Sequence, residues 1–224
     1  MKKKKLTSFQ LCLVAMAVGV NVAGGQLALL LKLPIYLDSV GTILTGALLG
    51  PWLGMVPNLL SGIIMGMTTD IYSLYFAPVG MVTGFMAGLV WKKWLGGGGR
   101  AAAGETAGAG GTAEVRRKAG AGGTAAPGRK LWLAALAVAV PGTMVSSTIC
   151  AAVFGGITSS GSTVLVQLLA RTPLGMTASI FLVQIVTDYA DRAVSMFLVA
   201  RFLRALPAGL KEKWRGEGRD GSAG

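Results

Sequence analysis

The sequence contains no histidine, only two cysteines and nine acidic residues in a chain of 224. Without histidine, a Ser-His-Asp triad, an HExxH zinc site and every His-ligated metal are excluded. Cys12 and Cys150 both lie inside apolar runs. They read as small buried hydrophobes, not as a disulfide framework or a metal site. No GxxxxGK[ST] loop occurs, so ATP-driven work would have to borrow a partner's ATPase. The stretch around Gly120, Gly122 and Ala125 mimics a dinucleotide loop, yet no strand precedes it and no helix follows. No catalytic residue, metal or cofactor is expected, and the chain reads as a non-enzyme.

Charge is also scarce. Only 13% of residues are charged, 53% are hydrophobic and the mean hydropathy is +0.63, which points to lipid as the solvent. The formal charge of +12 would suit nucleic acid. The basic residues, however, sit between and beyond long apolar runs, which is the positive-inside pattern of a membrane protein. A nucleic-acid partner is therefore not expected.

The first apolar run, Phe9 to Leu31, follows the basic stretch Lys2 to Lys5. It resembles a signal peptide in outline, but it is long enough to span the ~20 residues of a bilayer and lacks a clear cleavage site. A Pro-containing connection from Lys32 to Asp38 leads to Ser39–Thr68. That segment is long for one upright crossing and short for two. Gly50-Pro51 near its middle is a turn signal. A fourth run, Leu74 to Leu95, ends at Lys92 and Lys93 and leads into a loop holding Arg100, Arg116, Arg117, Lys118, Arg129 and Lys130. A single crossing of Ser39–Thr68 would put that loop outside, whereas a hairpin of two short helices puts it inside with Lys2 to Lys5. Gly41, Gly46, Gly54 and Gly62 permit the close packing such a hairpin requires.

The expected architecture is all-α: an integral membrane bundle of six transmembrane helices, with N- and C-termini cytoplasmic. Residues 1–95 supply helices 1 to 4. Residues 96–130 form a flexible cytoplasmic Gly/Ala-rich linker. Residues 131–206 supply helices 5 and 6, and 207–224 a basic cytoplasmic tail. Within the second half, Leu131–Phe154 is the fifth span, Gly155–Gly161 an outer segment and Val164–Leu169 a short surface helix. Leu174–Leu206 reads as a helix too long to cross upright. This topology places eighteen of the twenty-one basic residues on the cytoplasmic side. Trp52, Trp91, Trp94, Trp132 and Trp214 fall at or beyond the inner interface, and Tyr36, Tyr72, Tyr75 and Tyr189 toward the outer half.

Ionisable groups at membrane depth cost ~2.5–3.5 kcal/mol each on insertion scales, so they need a partner or a purpose. Asp38, Asp70, Asp188 and Asp191, with Lys32, Arg171 and Arg192, all map to the outer side or outer half. A polar cavity open to the outside accounts for them together. Simpler readings stand beside it: Asp38 as a helix N-cap, Asp70 as a turn residue, and Asp188 with Arg192 as a self-neutralising i,i+4 pair. Tyr36, Tyr72 and Tyr75 suit a flat ligand and equally suit interface anchoring. Asn58, in the third span, must find a polar partner and is placed in the same cavity. The expected substrate-binding set is thus Tyr36, Asp38, Asn58, Asp70, Tyr72, Tyr75, Asp188 and Arg192. Ala15, Gly19 and Ala23 form a small-residue stripe on the first helix, fit either for internal packing or for a partner protein.

The run Leu33-Pro-Ile-Tyr-Leu-Asp38-Ser-Val-Gly41-Thr, followed by Gly46-Ala-Leu-Leu-Gly50-Pro51-Trp-Leu-Gly54, resembles the substrate-binding S components of energy-coupling factor vitamin transporters. Thr187-Asp188-Tyr-Ala-Asp191-Arg192-Ala-Val-Ser195, leading to Leu206-Pro207, resembles them more weakly. The likeness covers most of the chain outside the linker and tail. It implies six helices in a bacterial plasma membrane and a vitamin-like small molecule held near the outer face. It also implies docking on a membrane coupling protein served by two cytoplasmic ATPases. The family's Ala-xxx-Ala docking stripe corresponds here to Ala15, Gly19 and Ala23, with glycine in the middle. The alternatives are a membrane sensor or structural module and a secondary transporter, the latter disfavoured by the lack of an internal repeat.

Overall fold

The computed structural model describes residues 7–95, 129–154, 162–171, 173 and 175–205. The Lys2–Lys5 cluster, nearly all of the expected linker, the 155–161 segment and the basic tail lie outside the described residues. All regular structure among the described residues is helical.

Helix α1, Ser8–Leu30, opens on a reciprocal cap: the Gln10 N–H donates to Thr7 Oγ1 at 3.3 Å, and the Thr7 N–H to Gln10 Oε1 at 3.2 Å. Such a capping box contributes ~1 kcal/mol. Lys32 and Leu37, in the connection that follows, take left-handed backbone angles, with φ of 49° and 52°. Helix α2, Val40–Leu49, stops at Gly50, whose φ of 94° suits glycine, and Pro51 starts α3, Pro51–Gly54. Helix α4, Val56–Thr68, runs back beside α2, and the Asn58 side-chain amide donates to the Asp38 carbonyl at 3.2 Å. The chain thus reverses at Gly50-Pro51, where the sequence carries its turn signal.

Helix α5, Ile71–Val90, continues through a π turn at Trp91–Leu95. Asp70 caps it, accepting from the Tyr72 N–H at 3.4 Å and the Ser73 hydroxyl at 3.1 Å. Helices α6, Arg129–Phe154, α7, Ser162–Leu169, and α8, Gly175–Ala205, complete the described chain. Helix α5 lies at the centre, packed on α2, α3, α4 and α6, while α8 packs on α6, α7 and α2. Glycine makes the tightest of these contacts possible. A Cβ on Gly84 of α5 would stand 2.1 Å from the Gly54 carbonyl oxygen, and one on Gly54 would stand 2.7 Å from the Gly46 Cα.

Among the described residues, three helical stretches are long and apolar enough to cross a membrane: Ser8–Leu30, Ile71–Leu95 and Lys130–Phe154. Helix α2 is apolar but short. Helix α8 has the length, but Asp188, Asp191 and Arg192 interrupt its apolar sequence.

The interior is layered. One apolar cluster joins Ile43 and Leu44, Ala87 and Val90, Leu131, Ala134, Ala135 and Val138, and Ala193, Met196 and Val199. A second, smaller one joins Cys150, Val166, Ile180 and Val183. Along α6 and α8, most of the buried residues between the clusters are polar: Thr143, Ser146 and Ser147 on the first helix, and Gln184, Thr187, Asp191 and Arg192 on the second. A polar stratum therefore lies between two apolar ones.

Two expectations about side chains need correction. Cys150 is buried, but Cys12 is exposed on the outer face of α1. Tyr189 does not follow the expected separation of Tyr from Trp: its ring packs beside Trp132 at 6.3 Å. Its position on α8 turns it toward α6, so helix phase rather than interface depth decides its neighbour.

Candidate functional site

The polar stratum contains a cavity of about 70 Å³. Pro34, Ile35, Tyr36 and Asp38 of the α1–α2 connection line it, with Asn58, Ser61 and Met65 of α4, Phe76 and Val79 of α5, Ser146 of α6, and Gln184, Thr187, Asp188, Asp191 and Arg192 of α8. A water needs roughly 10–15 Å³ of such space, so about five to seven fit.

Asp191 organises one wall. Its Oδ1 accepts from the Leu37 backbone N–H at 2.9 Å, and its Oδ2 pairs with Arg192 Nη1. The Ser39 hydroxyl lies 3.2 Å from both Asp191 Oδ2 and Asp38 Oδ1. It has one proton, so it serves the two carboxylates in turn or shares it between them. Asp191 thereby ties the 31–39 connection to α8 and holds Leu37 in its left-handed conformation. The side chain of Ser39, committed to these acids, does not cap α2. Asn21 of α1 takes that role: its Oδ1 accepts from the Gly41 N–H at 2.8 Å, while its Nδ2 donates to Thr42 Oγ1 at 2.7 Å. A buried asparagine in an apolar helix is thus satisfied by a neighbouring helix end.

Asp188 sits one turn before Arg192, but Arg192 pairs with Asp191. Asp188 Oδ2 instead accepts from the Ser146 hydroxyl at 2.7 Å. Among the described residues, three buried polar atoms have no hydrogen-bond partner: Arg192 Nε, Ser147 Oγ and Ser195 Oγ. Asp38 is raised from its ordinary value to a pKa of about 6, first by burial and then by the negative charge of Asp191.

Of the residues singled out from sequence, Tyr36, Asp38, Asn58, Asp188 and Arg192 come together in this cavity. Asp70, Tyr72 and Tyr75 do not line it. Asp70 caps α5, and Tyr72 and Tyr75 pack on Phe154, with ring centroids 4.7 and 5.2 Å away. Asp191 was visible as a membrane-depth acid, but nothing in its own position marked it as the hub. The signal for it, and for Gln184, Thr187 and Ser195, is a polar stripe at helical spacing along α8.

The small-residue stripe has a clear placement. Ala15, Gly19 and Ala23 are all exposed, whereas Leu13, Val14, Ala17, Asn21, Gly25 and Ala28 form the buried face of α1. A Cβ on Gly19 would meet no atom within 4 Å. Among the described residues, no group of His, Cys, Asp or Glu is arranged to hold a metal ion.

No known protein family matches the chain, and no curated protein or solved structure resembles it significantly.

Proposed function

We propose that the protein is the substrate-specific membrane subunit of an ATP-driven importer of the energy-coupling factor type, capturing a vitamin-like small molecule on the outer side. The observation that carries this reading is the polar stratum. An apolar bundle that buries Asp191 and Arg192 beside Asp38 and Asp188, and leaves a cavity among them, expends stability on a site. Packing alone would favour apolar residues there.

In this reading the chain crosses a bacterial plasma membrane six times, α2 and α3–α4 forming two short spans, with both termini in the cytoplasm. The exposed stripe of Ala15, Gly19 and Ala23 is the surface on which a membrane coupling protein docks, because small residues let a second helix approach closely. Two cytoplasmic ATPases drive the coupling protein. The 31–39 connection covers the captured molecule, and the tie from Asp191 to Leu37 closes it.

A thermal-shift screen of the purified chain in detergent against vitamins and their precursors tests the capture step. A saturable rise in melting temperature with one chemical class is expected. No rise across the set, together with no copurifying coupling protein, would leave a structural or sensory module as the better reading.

A further inference from the structure

The side chains around the cavity also constrain what it takes, if the capture reading is granted. The described lining contains three carboxylates, Asp38, Asp188 and Asp191, and one cationic group, Arg192, with no lysine. Arg192 is paired to Asp191, so those two charges cancel. Asp188 and Asp38 receive hydroxyl donors, Ser146 and Ser39, which solvate a carboxylate without neutralising it. Lys32 and Arg171, the other basic residues of this end of the fold, are exposed and do not line the cavity. With every acid ionised the surplus is two negative charges, in a place where charge is costly and a carboxyl without a counter-charge tends to keep its proton.

A second feature is independent of the acids. Arg192 is 6% exposed, it lines the cavity, and its Nε donor has no partner among the described residues. A buried donor of this kind calls for an acceptor. The apolar part of the wall, Ile35, Tyr36, Met65, Phe76 and Val79, suits a ring or short hydrocarbon.

We propose that the cavity binds a small organic cation, its positively charged nitrogen balanced by Asp38 and Asp188 and an acceptor atom of the same molecule taking the hydrogen bond of Arg192 Nε. An anion would face two unmatched carboxylates and find only a guanidinium that is already paired. A neutral molecule would leave both carboxyls without a counter-charge, to be neutralised only by protons. Asp38, although raised to a pKa of about 6, still ionises near neutral pH, so its charge is available. A molecule of more than a handful of heavy atoms exceeds the cavity of about 70 Å³, so part of its wall must move to admit it.

The test uses the full chain in detergent with one ring in three charge states: pyridoxamine as the cation, pyridoxine as its neutral counterpart and 4-pyridoxate as the anion. Thiamine and choline extend the cations, and biotin and pantothenate the anions. Melting-temperature shifts and calorimetric titration are expected to show binding confined to cations, at least ten-fold tighter than any neutral or anionic counterpart. Asp188→Asn should weaken it ten-fold or more while the elution volume on gel filtration stays unchanged. Asp38→Asn, altered in a connection rather than a helix, serves the same purpose if Asp188→Asn fails to fold. Equal or tighter binding of a neutral or anionic probe, or no binding of any cation, would overturn the proposal. Cation binding without copurification of a coupling protein would overturn the importer reading and leave this one intact. Anion binding with copurification would do the reverse.

Discussion

Removing the Asp191 carboxylate should do more damage than any other single change in the polar stratum. Among the described residues, three interactions end on it: the Leu37 N–H, the Ser39 hydroxyl and the Arg192 guanidinium. The pair is nearly sealed from solvent, with side-chain exposures of 3% for Asp191 and 7% for Arg192, so little screening applies. Asp191→Ala leaves a buried guanidinium without its partner, which costs ~3–5 kcal/mol. Asp191→Asn keeps an acceptor for Leu37 but turns a donor NH2 toward Arg192 and Ser39, so the guanidinium again loses its partner and most of the same ~3–5 kcal/mol is lost. The double variant Asp191→Ala with Arg192→Met removes both charges and should recover part of the deficit. The assay is a thermal melt in one detergent, with limited proteolysis of the 31–39 connection. Without its tie, Leu37 is free to leave a left-handed conformation that costs ~1–2 kcal/mol, so cleavage there should accelerate. An Asp191→Ala protein that melts with the wild type, or a double variant less stable than Asp191→Ala alone, would refute the hub role.

Other outcomes follow from the packing and the charges. Gly84→Ala places a methyl 2.1 Å from the Gly54 carbonyl oxygen and should lower the melting temperature sharply, whereas Gly19→Ala, with open space around it, should leave it unchanged. Gly19→Leu should likewise fold normally, yet lose copurification with a coupling protein because a bulky side chain now stands in the proposed docking stripe. For pH, the folded-state pKa of Asp38, about 6, lies above its unfolded value near ~3.9, so the folded state holds this proton more tightly. Its contribution to stability is full below the unfolded value and is lost as pH rises through about 6; wild type should gain more in melting temperature between pH 7 and pH 5 than Asp38→Asn does. A cysteine introduced at Gly110 in a background free of Cys12 and Cys150 should resist membrane-impermeant maleimide in intact cells, and ready labelling would refute the inward placement of the linker.

What the sequence made legible was the part governed by local chemistry. Hydropathy and turn residues located the helices and the reversal at Gly50-Pro51, because a glycine able to take a positive φ followed by a proline leaves the backbone few alternatives. The cost of charge in an apolar setting flagged Asp38, Asp188 and Arg192, and these do meet in one cavity. Asp70 met its need locally as a helix cap, and a cost argument cannot see that. Partner choice was less legible. The i,i+4 rule pairs Asp188 with Arg192 on an isolated helix. In the bundle, the Ser146 hydroxyl from α6 occupies Asp188, and the Leu37 N–H draws Asp191 to the α1–α2 connection. Those partners are 42 and 154 residues away in sequence, beyond any local pattern. Asn21 escaped notice for the same reason: it serves as the cap of a helix it does not belong to.

The central claim, that this bundle captures a substrate for an ATP-driven coupling module, is tested most directly by copurification. The tagged full chain, expressed together with an energy-coupling module and extracted in mild detergent, should bring down the membrane coupling protein and both ATPases in stable ratio, and Gly19→Leu should not. A chain that folds, purifies and never retains the coupling protein would contradict the account.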